Sequence, residues 1–330
     1  VNPIVSTGRA GDRGLIQLMP KKGGVRECFI ARDGYAFCSV DYAAVELSTY
    51  AQVQLWTLGR SKLAEVINSG KDPHSAFAAE MTNDDYERFV KNKKQPRESL
   101  LRFAAKAANF GFPGMMGAAK FVTAKKREGE SVCKWTTPEA QCGAVKIRVF
   151  KGKELDTPLC TQCVLDAEKL RKAYIAQWPE TRTYWNWVSA QLGEHKRLEQ
   201  FVSKRVRGGL SAPAAANTLF QGLASDMAKK ALIDLTKEAY LDRSSPLFGS
   251  RLCVFAHDET IMEHRLDRLH EAAARQVEVM VTSRHIYCPD VLVKAEPAAM
   301  LRWYKNADPV YDSNNRLIPW EPKPELDKKQ

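Results

Sequence analysis

Apolar positions along the chain fall into two kinds of pattern. Short runs with strand character occur at Phe29–Asp41, around the Asp33-Gly34 turn signal, and at Leu252–Glu259. They predict two short strands at the first place and a strand pair around Asp258 at the second, with a last strand near Val291–Lys294. Elsewhere the period is helical. Val45, Leu47, Ala51, Leu55 and Leu58 mark a buried stripe within 43–67. Asp72-Pro73-His74 opens another helix, with Asp72 placed to cap and Pro73 in the first turn. A third helix covers 97–110 and is ended or kinked by Pro113-Gly114. Helical pattern returns from Val164 to about Glu199, where Trp178, Tyr184, Trp185 and Trp187 supply bulk, then over 217–241 and 266–283. Residues 1–24 and the tail from Pro309 are rich in Gly, Pro or charge and predict irregular, loosely packed chain. No internal repeat is visible.

The two strand-like runs share a feature. Phe37-Cys38-Ser39-Val40-Asp41 and Leu252-Cys253-Val254-Phe255-Ala256-His257-Asp258-Glu259 both end in carboxylates. A buried strand that delivers an acid must pair it, solvate it or bind it to a metal. Two carboxylates about 4 Å apart repel by roughly 4 kcal/mol at an effective dielectric near 20, and divalent cations reverse that sign. Hard oxygen ligands suit Mg²⁺, and two such ions serve phosphoryl transfer. Asp41 and Asp258 are therefore candidate half-sites of one metal centre; the alternative for Asp258-Glu259 alone is a polar hairpin turn.

On the 97–110 helix, Arg102, Lys106 and Phe110 stand at steps of four and share one face, while Ala104, Ala105, Ala107 and Ala108 are small. Two cations with an aromatic one turn beyond would fit a triphosphate with a base stacked past it; the alternative is a solvated basic face. His74 is either a further phosphate donor or a capping or core residue.

Charge supports a polyanionic partner: Lys and Arg number 50 against 39 Asp and Glu, a net +11. Hydrophobic content of 44% allows a globular core. No apolar run is long enough for a membrane helix, no signal peptide is visible at Val1–Gly8, and no membrane partner is expected. The eight cysteines imply a reducing compartment with few disulfides. Cys38 and Cys253 sit in apolar runs and are expected to be buried. Cys133, Cys142, Cys160 and Cys163 lie in a polar, Lys-rich stretch, 120–165, and end in a Cys-x-x-Cys knuckle, a candidate structural zinc site. The alternative is four reduced thiols in a loop.

The segments VDYAAVELS, RFAAKAANFG and AHDE, in this order and at these separations, resemble the three motifs of the family A DNA polymerases, the bacterial polymerase I type and its phage relatives. The resemblance covers nearly the whole chain from Thr7-Gly8-Arg9. It implies an α+β polymerase palm with an antiparallel sheet and an inserted helical fingers subdomain. Residues 1–50 would be the first part of the palm, 51–200 the fingers with the cysteine-rich insert, and 201–330 the second part of the palm.

The resemblance also assigns roles. Asp41 and Asp258 become the metal-binding aspartates for two Mg²⁺ ions, with the Tyr42 carbonyl as a backbone ligand and Glu259 as the second acid of its motif. Glu46 becomes the steric gate against a ribose 2′-hydroxyl. His74, Arg102 and Lys106 become triphosphate contacts, and Phe110 the aromatic against the incoming sugar and base. Arg9 and Gln17 match primer–template minor-groove contacts, Asn217 and Gln221 template-side contacts, and His257 the residue beside the primer terminus. The implied reaction is DNA-templated transfer of a deoxynucleotide from a dNTP to a primer 3′-hydroxyl, in the cytoplasm of a bacterium or phage-infected host.

Departures stand beside it. Ala44 and Ser48 replace a usual Gln and Arg. Phe112-Pro113-Gly114-Met115 stands where the family has a helical turn bearing Tyr then Gly, and Pro213 stands where the bacterial enzymes carry Arg. The family's thumb precedes Thr7, so a fragment, or a separate thumb or exonuclease chain, is the expectation. Other readings are a weakly catalytic DNA-binding subunit that needs such a partner, and a single-subunit RNA polymerase relative, which Glu46 disfavours.

Overall fold

The structure is a computed structural model of the chain; it describes residues 19–20, 24–137, 139–256 and 258–322. Two compact units are present. One comprises Val1–Val45, Gln221–Pro289 and Val293–Gln330; the other comprises Glu46–Phe220 and Asp290–Leu292. The crossing at 220/221 falls inside one long helix, Ala212–Tyr240.

The first unit is organised by a four-stranded antiparallel sheet in the order Arg251–Ala256, Glu259–Arg265, Tyr35–Ala43, Lys294–Met300. Period-two alternation gives the central Tyr35–Ala43 strand two different faces. Ala36, Cys38, Val40 and Tyr42 are buried. On this face the Tyr42 hydroxyl donates to the Met280 carbonyl at 2.7 Å, at the end of the Leu269–Thr282 helix. From the neighbouring strand, His264 Nε2 lies 2.9 Å from Gln276 Oε1, and Gln276 Nε2 donates to Thr260 Oγ1 at 2.9 Å. The opposite face is apolar at one end, where Phe37, Ile261, Met300 and Trp303 form a buried cluster. Each such side chain contributes roughly 1.5–3 kcal/mol by leaving water.

The second unit is mostly helical; among its described residues are a short strand pair, Leu198–Glu199 with Val206–Arg207, and a longer exposed hairpin, Lys146–Phe150 with Lys153–Cys160. Its core gathers aromatics: Tyr50 packs edge-on against both Tyr184 and Phe220 at 5.2 Å between centroids, and Trp178 is fully buried. Asp72 caps the Pro73–Met81 helix through the N–H groups of His74 and Ser75, as its Asp-Pro signature predicts.

Several expectations are corrected. The stretch predicted as one helix from Val164 is two, Thr161–Gln177 and Glu180–Leu192. Pro179 lacks an N–H to continue the ladder and disfavours helical geometry at Trp178. The strand expected near 291–294 is Lys294–Met300, and two short strands follow it, Val310–Tyr311 and Leu317–Ile318. The Leu292 backbone is engaged by side chains instead, its carbonyl by the Ser48 hydroxyl and its N–H by Asn68 Oδ1. Pro297 is tolerated there because the strand lies at the sheet edge. Cys38 is buried but Cys253 is exposed, because its strand is the other edge and Cys253 points outward. The sequence from Phe29 supplies one strand rather than two: before the Asp33-Gly34 turn there is only an isolated bridge from Ile30 to Arg302. In the tail from Pro309 the described residues are mostly exposed or half-buried, but one short strand pair anchors them. Val310–Tyr311 pairs with Leu317–Ile318, Leu317 is buried, and its N–H donates to His270 Nδ1 at 3.0 Å.

Candidate functional site

Strand register brings the acids together. Asp41 pairs with Glu259 on one side and with Glu296 on the other. Two residues back, Ser39 pairs with Ile261 and Ala298, and two further back Phe37 pairs with Glu263 and Met300. This face of the sheet therefore gathers acids from three adjacent strands at one end, while at the other Glu263 is paired with Arg32 beside apolar side chains. Asp258 lies in a turn directly before Glu259. At the acidic end lies a cleft of about 250 Å³, lined among others by Ser39, Asp41, Tyr42, Glu259, Glu296 and Lys305.

Electrostatics register the crowding. The Asp41 carboxyl is pushed up to about 7, first by the protein packed around it and then by the charges on Asp258 and Glu259; Lys305 and the Tyr42 backbone pull the other way. Its side chain nonetheless keeps contact with solvent through the open cleft. Glu259 is buried and braced: Ser39 Oγ donates to one carboxylate oxygen at 2.6 Å and Lys305 Nζ to the other at 2.8 Å. Its charge is thereby compensated within the protein, which sets it apart from Asp41.

The second unit holds the cationic group. On the Pro96–Gly111 helix the Ala104, Ala105, Ala107 and Ala108 face is buried, whereas Lys106 and Phe110 are exposed and Arg102 is partly so. Arg102 donates to Asp72 Oδ2 through Nε at 2.9 Å and pairs with it through Nη2 at 2.8 Å. The cap residue of one helix thus positions the guanidinium of another. Burial tends to raise the Asp72 pKa, but Ser75 and Arg102 outweigh that and leave it below the usual carboxylate value. His74 is 4% exposed. Burial drives its pKa down to about 4, helped by Arg102 and Lys106 and opposed by Asp72. Its ring lies 5.6 Å from that of Phe110, and its Nδ1 lies 3.0 Å from Asn109 Nδ2. Arg102, Lys106 and Phe110 follow one another at steps of four along the Pro96–Gly111 helix, and His74, from the Pro73–Met81 helix, is buried beside Phe110.

Glu46 lies in the first turn of the Val45–Leu58 helix, which follows the Tyr35–Ala43 strand through Ala44 in left-handed backbone (φ 52°). Asn217 and Gln221 lie one turn apart on the Ala212–Tyr240 helix. Asn217 packs so tightly on Gly114 that a Cβ at Gly114 would fall 2.2–2.5 Å from its carboxamide. The Pro96–Gly111 helix stops short of this point, and Met115 takes a left-handed conformation (φ 60°). Cys133, Cys142, Cys160 and Cys163 converge, with all four sulfurs within 4.8 Å of one another. Arg9, Gln17 and His257 lie outside the described residues. Ser39, Glu296 and Lys305 have no site role in the sequence reading, Asp72 is marked there only as a helix cap, and Asn109 stands only as an unassigned member of the RFAAKAANFG segment.

Comparison with known proteins places this geometry. No protein-family model matches the chain. It is 26% identical over 293 residues to a thermostable DNA polymerase I of Thermus filiformis, covering 84% of this chain and 28% of that protein. It is 24% identical over 267 residues to DNA polymerase I of Deinococcus radiodurans, covering 78% of this chain and 22% of that one. The chain is thus similar in sequence to bacterial DNA polymerases I. Its fold matches the POL domain of Pol1 from M. smegmatis, solved with DNA primer-template and dNTP, with a TM-score of 0.65 at 19% identity over 91% of this chain and 47% of that one. The chain thus spans about a quarter of the polymerase I relatives' length. Among the described residues no helix is long and apolar enough to cross a membrane.

Proposed function

We propose that the chain carries the palm and fingers of a DNA-templated DNA polymerase, with the sheet-bearing unit as palm and the helical unit as fingers. The observation that carries this reading is the convergence of Asp41 and Asp258. Strands more than 200 residues apart deliver two carboxylates close enough for one charge to raise the pKa of the other.

The donor set fits Mg²⁺. Asp41, Asp258 and the Tyr42 carbonyl offer oxygen alone, as a hard cation requires, and a cation would relieve the like-charge clash recorded in the Asp41 pKa. Bound there, Mg²⁺ would supply Lewis-acid stabilisation of the attacking and leaving oxygens. Glu259, held by Ser39 and Lys305, fixes the hairpin that presents Asp258. Arg102 and Lys106 neutralise triphosphate charge. Phe110 offers a face for the sugar and base. The Glu46 carboxylate crowds a 2′-hydroxyl, and Asn217 and Gln221 contact the template side of a primer-template duplex. Catalysis of this kind rests on positioning and charge compensation more than on covalent chemistry by the protein.

The test is primer extension with dNTPs and Mg²⁺ at low salt, with duplex binding measured in parallel. Asp258→Ala is expected to abolish extension and leave binding within a few-fold. Equal loss of both, or extension that survives the substitution, would reject the reading.

A further inference from the structure

We infer that Cys133, Cys142, Cys160 and Cys163 form a structural zinc site that fastens the base of the exposed hairpin, a role independent of polymerase chemistry. Four elements contribute. Cys133 opens the short Cys133–Thr136 helix, and Cys142 sits in the loop before the hairpin. Cys160 ends the Lys153–Cys160 strand, and Cys163 lies in the first turn of the Thr161–Gln177 helix. The sequence separates these residues by gaps of very different length, yet their sulfurs lie within 4.8 Å of one another, and Cys142 Sγ is 3.6 Å from Cys163 Sγ. Tetrahedral zinc with Zn–S bonds near 2.3 Å places sulfurs about 3.8 Å apart. The observed spread reaches that geometry with shifts of about an ångström. A disulfide needs sulfurs about 2.05 Å apart, and all four residues are free thiols.

The surroundings suit thiolates. The Cys133 N–H donates to Cys163 Sγ at 3.4 Å, and the N–H groups of Gly143 and Cys163 serve Cys160. Lys146 pairs across the ladder with Cys160 and brings its chain against Gly143, so a cation stands beside a cluster that would carry net negative charge with zinc bound. Three of the four cysteines are withdrawn from solvent to some degree, Cys133 and Cys163 fully.

The hairpin has little else to hold it. Within its two strands only Leu159 is buried, and Val149 is 53% exposed. A two-stranded hairpin without an apolar face is marginal in water. The cysteines flank it on both sides in the chain, so metal binding closes the loop at its root. Four thiolates saturate the coordination sphere and leave no position for substrate. Basic side chains at Lys146, Arg148, Lys151 and Lys153 would be held in fixed array by this clamp.

The experiment measures metal in the full chain, purified under reducing conditions. One zinc per chain is expected by elemental mass spectrometry. Cys142→Ser and Cys160→Ser should reduce it to near zero, while Cys28→Ser, outside the cluster, should leave it unchanged. In the unmodified protein, titration with an organomercurial should release zinc in step with modification of the cluster thiols. Cobalt substitution should give the intense absorption of a tetrahedral tetrathiolate site. Chelation should expose the segment between Thr137 and Thr161 to protease while the remaining fragments stay intact. Zinc retained in both cysteine variants, iron in place of zinc, or thiols that react without any metal release would each overturn the assignment.

Discussion

Asn109 Nδ2 lies 3.0 Å from His74 Nδ1, and the orientation of the amide is fixed from its other end. The Trp178 indole N–H, which can only donate, meets Asn109 Oδ1 at 3.2 Å. Nδ2 must therefore face His74 as donor, so Nδ1 accepts and the neutral ring carries its proton on Nε2. His74 is thus held as a neutral hydrogen-bond donor beside Arg102 and Lys106.

Asn109→Asp keeps an acceptor for Trp178 but places a carboxylate against the ring. The His74 proton should move to Nδ1 and its pKa should rise from about 4 toward or above the ordinary value. Imidazole NMR reads both changes. If His74 touches the triphosphate, KM for dNTP falls where the ring gains charge and rises where it only loses its Nε2 proton, while duplex affinity holds. An unmoved titration would contradict the assigned hydrogen bond.

Glu46→Ala tests the proposed sugar gate. Removing the carboxylate should raise ribonucleotide incorporation relative to deoxynucleotide by roughly ten- to a hundredfold, the scale of a small steric change in a snug pocket, with dNTP extension little changed. Single-nucleotide incorporation kinetics with matched rNTP and dNTP measure the ratio. Unchanged discrimination would remove Glu46 from this role.

Gly114→Ala forces the Asn217 carboxamide from its place, because the new Cβ would fall within 2.5 Å of it. The obstacle is the end of a side chain rather than backbone, so the stability cost should be only about 0.5–1.5 kcal/mol, that of a displaced rotamer. Template-dependent activity should fall as it does in Asn217→Ala. The double variant should be no worse than either single one, a non-additivity expected of groups in contact. Additive losses would show that the two act separately.

Acid should weaken the sheet-bearing unit through His264. It is fully buried between Ser250 Oγ and Gln276 Oε1, and burial drives its pKa down to about 4. The unfolded chain takes up this proton near 6.5, so it binds more protons than the folded one between pH 6.5 and 4. The contribution is fully present above pH 6.5 and declines as pH falls through that window, by at most about 1.4 kcal/mol per pH unit. Denaturant unfolding at several pH values gives the slope. His264→Gln should reduce it by up to one proton's worth, whatever its effect on absolute stability; an unaltered slope would refute the linkage.

What could be read in advance follows a physical division. Asp41, Asp258 and the Arg102–Lys106–Phe110 stripe were legible because strand tips and helix faces obey fixed periods. Asp72 was legible as a cap, but its hold on Arg102 was not, since nothing in either segment encodes which helices pack together. Lys305 and Glu296 were invisible for the same reason: each matters through strand register or a loop that returns to the sheet. Cys253 was misjudged because an apolar run does not tell an edge strand from a central one. All four cysteines could be grouped in the sequence, Cys160 and Cys163 by their knuckle spacing, whereas the wide interval between Cys133 and Cys142 left their convergence for the fold to show.

The sheet that holds Asp41 also dictates a timetable. Its central strand finishes at Ala43, but both neighbours, Glu259–Arg265 and Lys294–Met300, are more than 200 residues downstream. During synthesis the helical unit, nearly all of it in the continuous stretch Glu46–Phe220, can be complete while this strand still has no partner on the nascent chain. Long-range pairing of this kind is slow. A ribosome that stalls before Lys294 leaves the acidic strand with an open edge, so the site begun at Asp41 is closed only by segments translated more than 200 residues later.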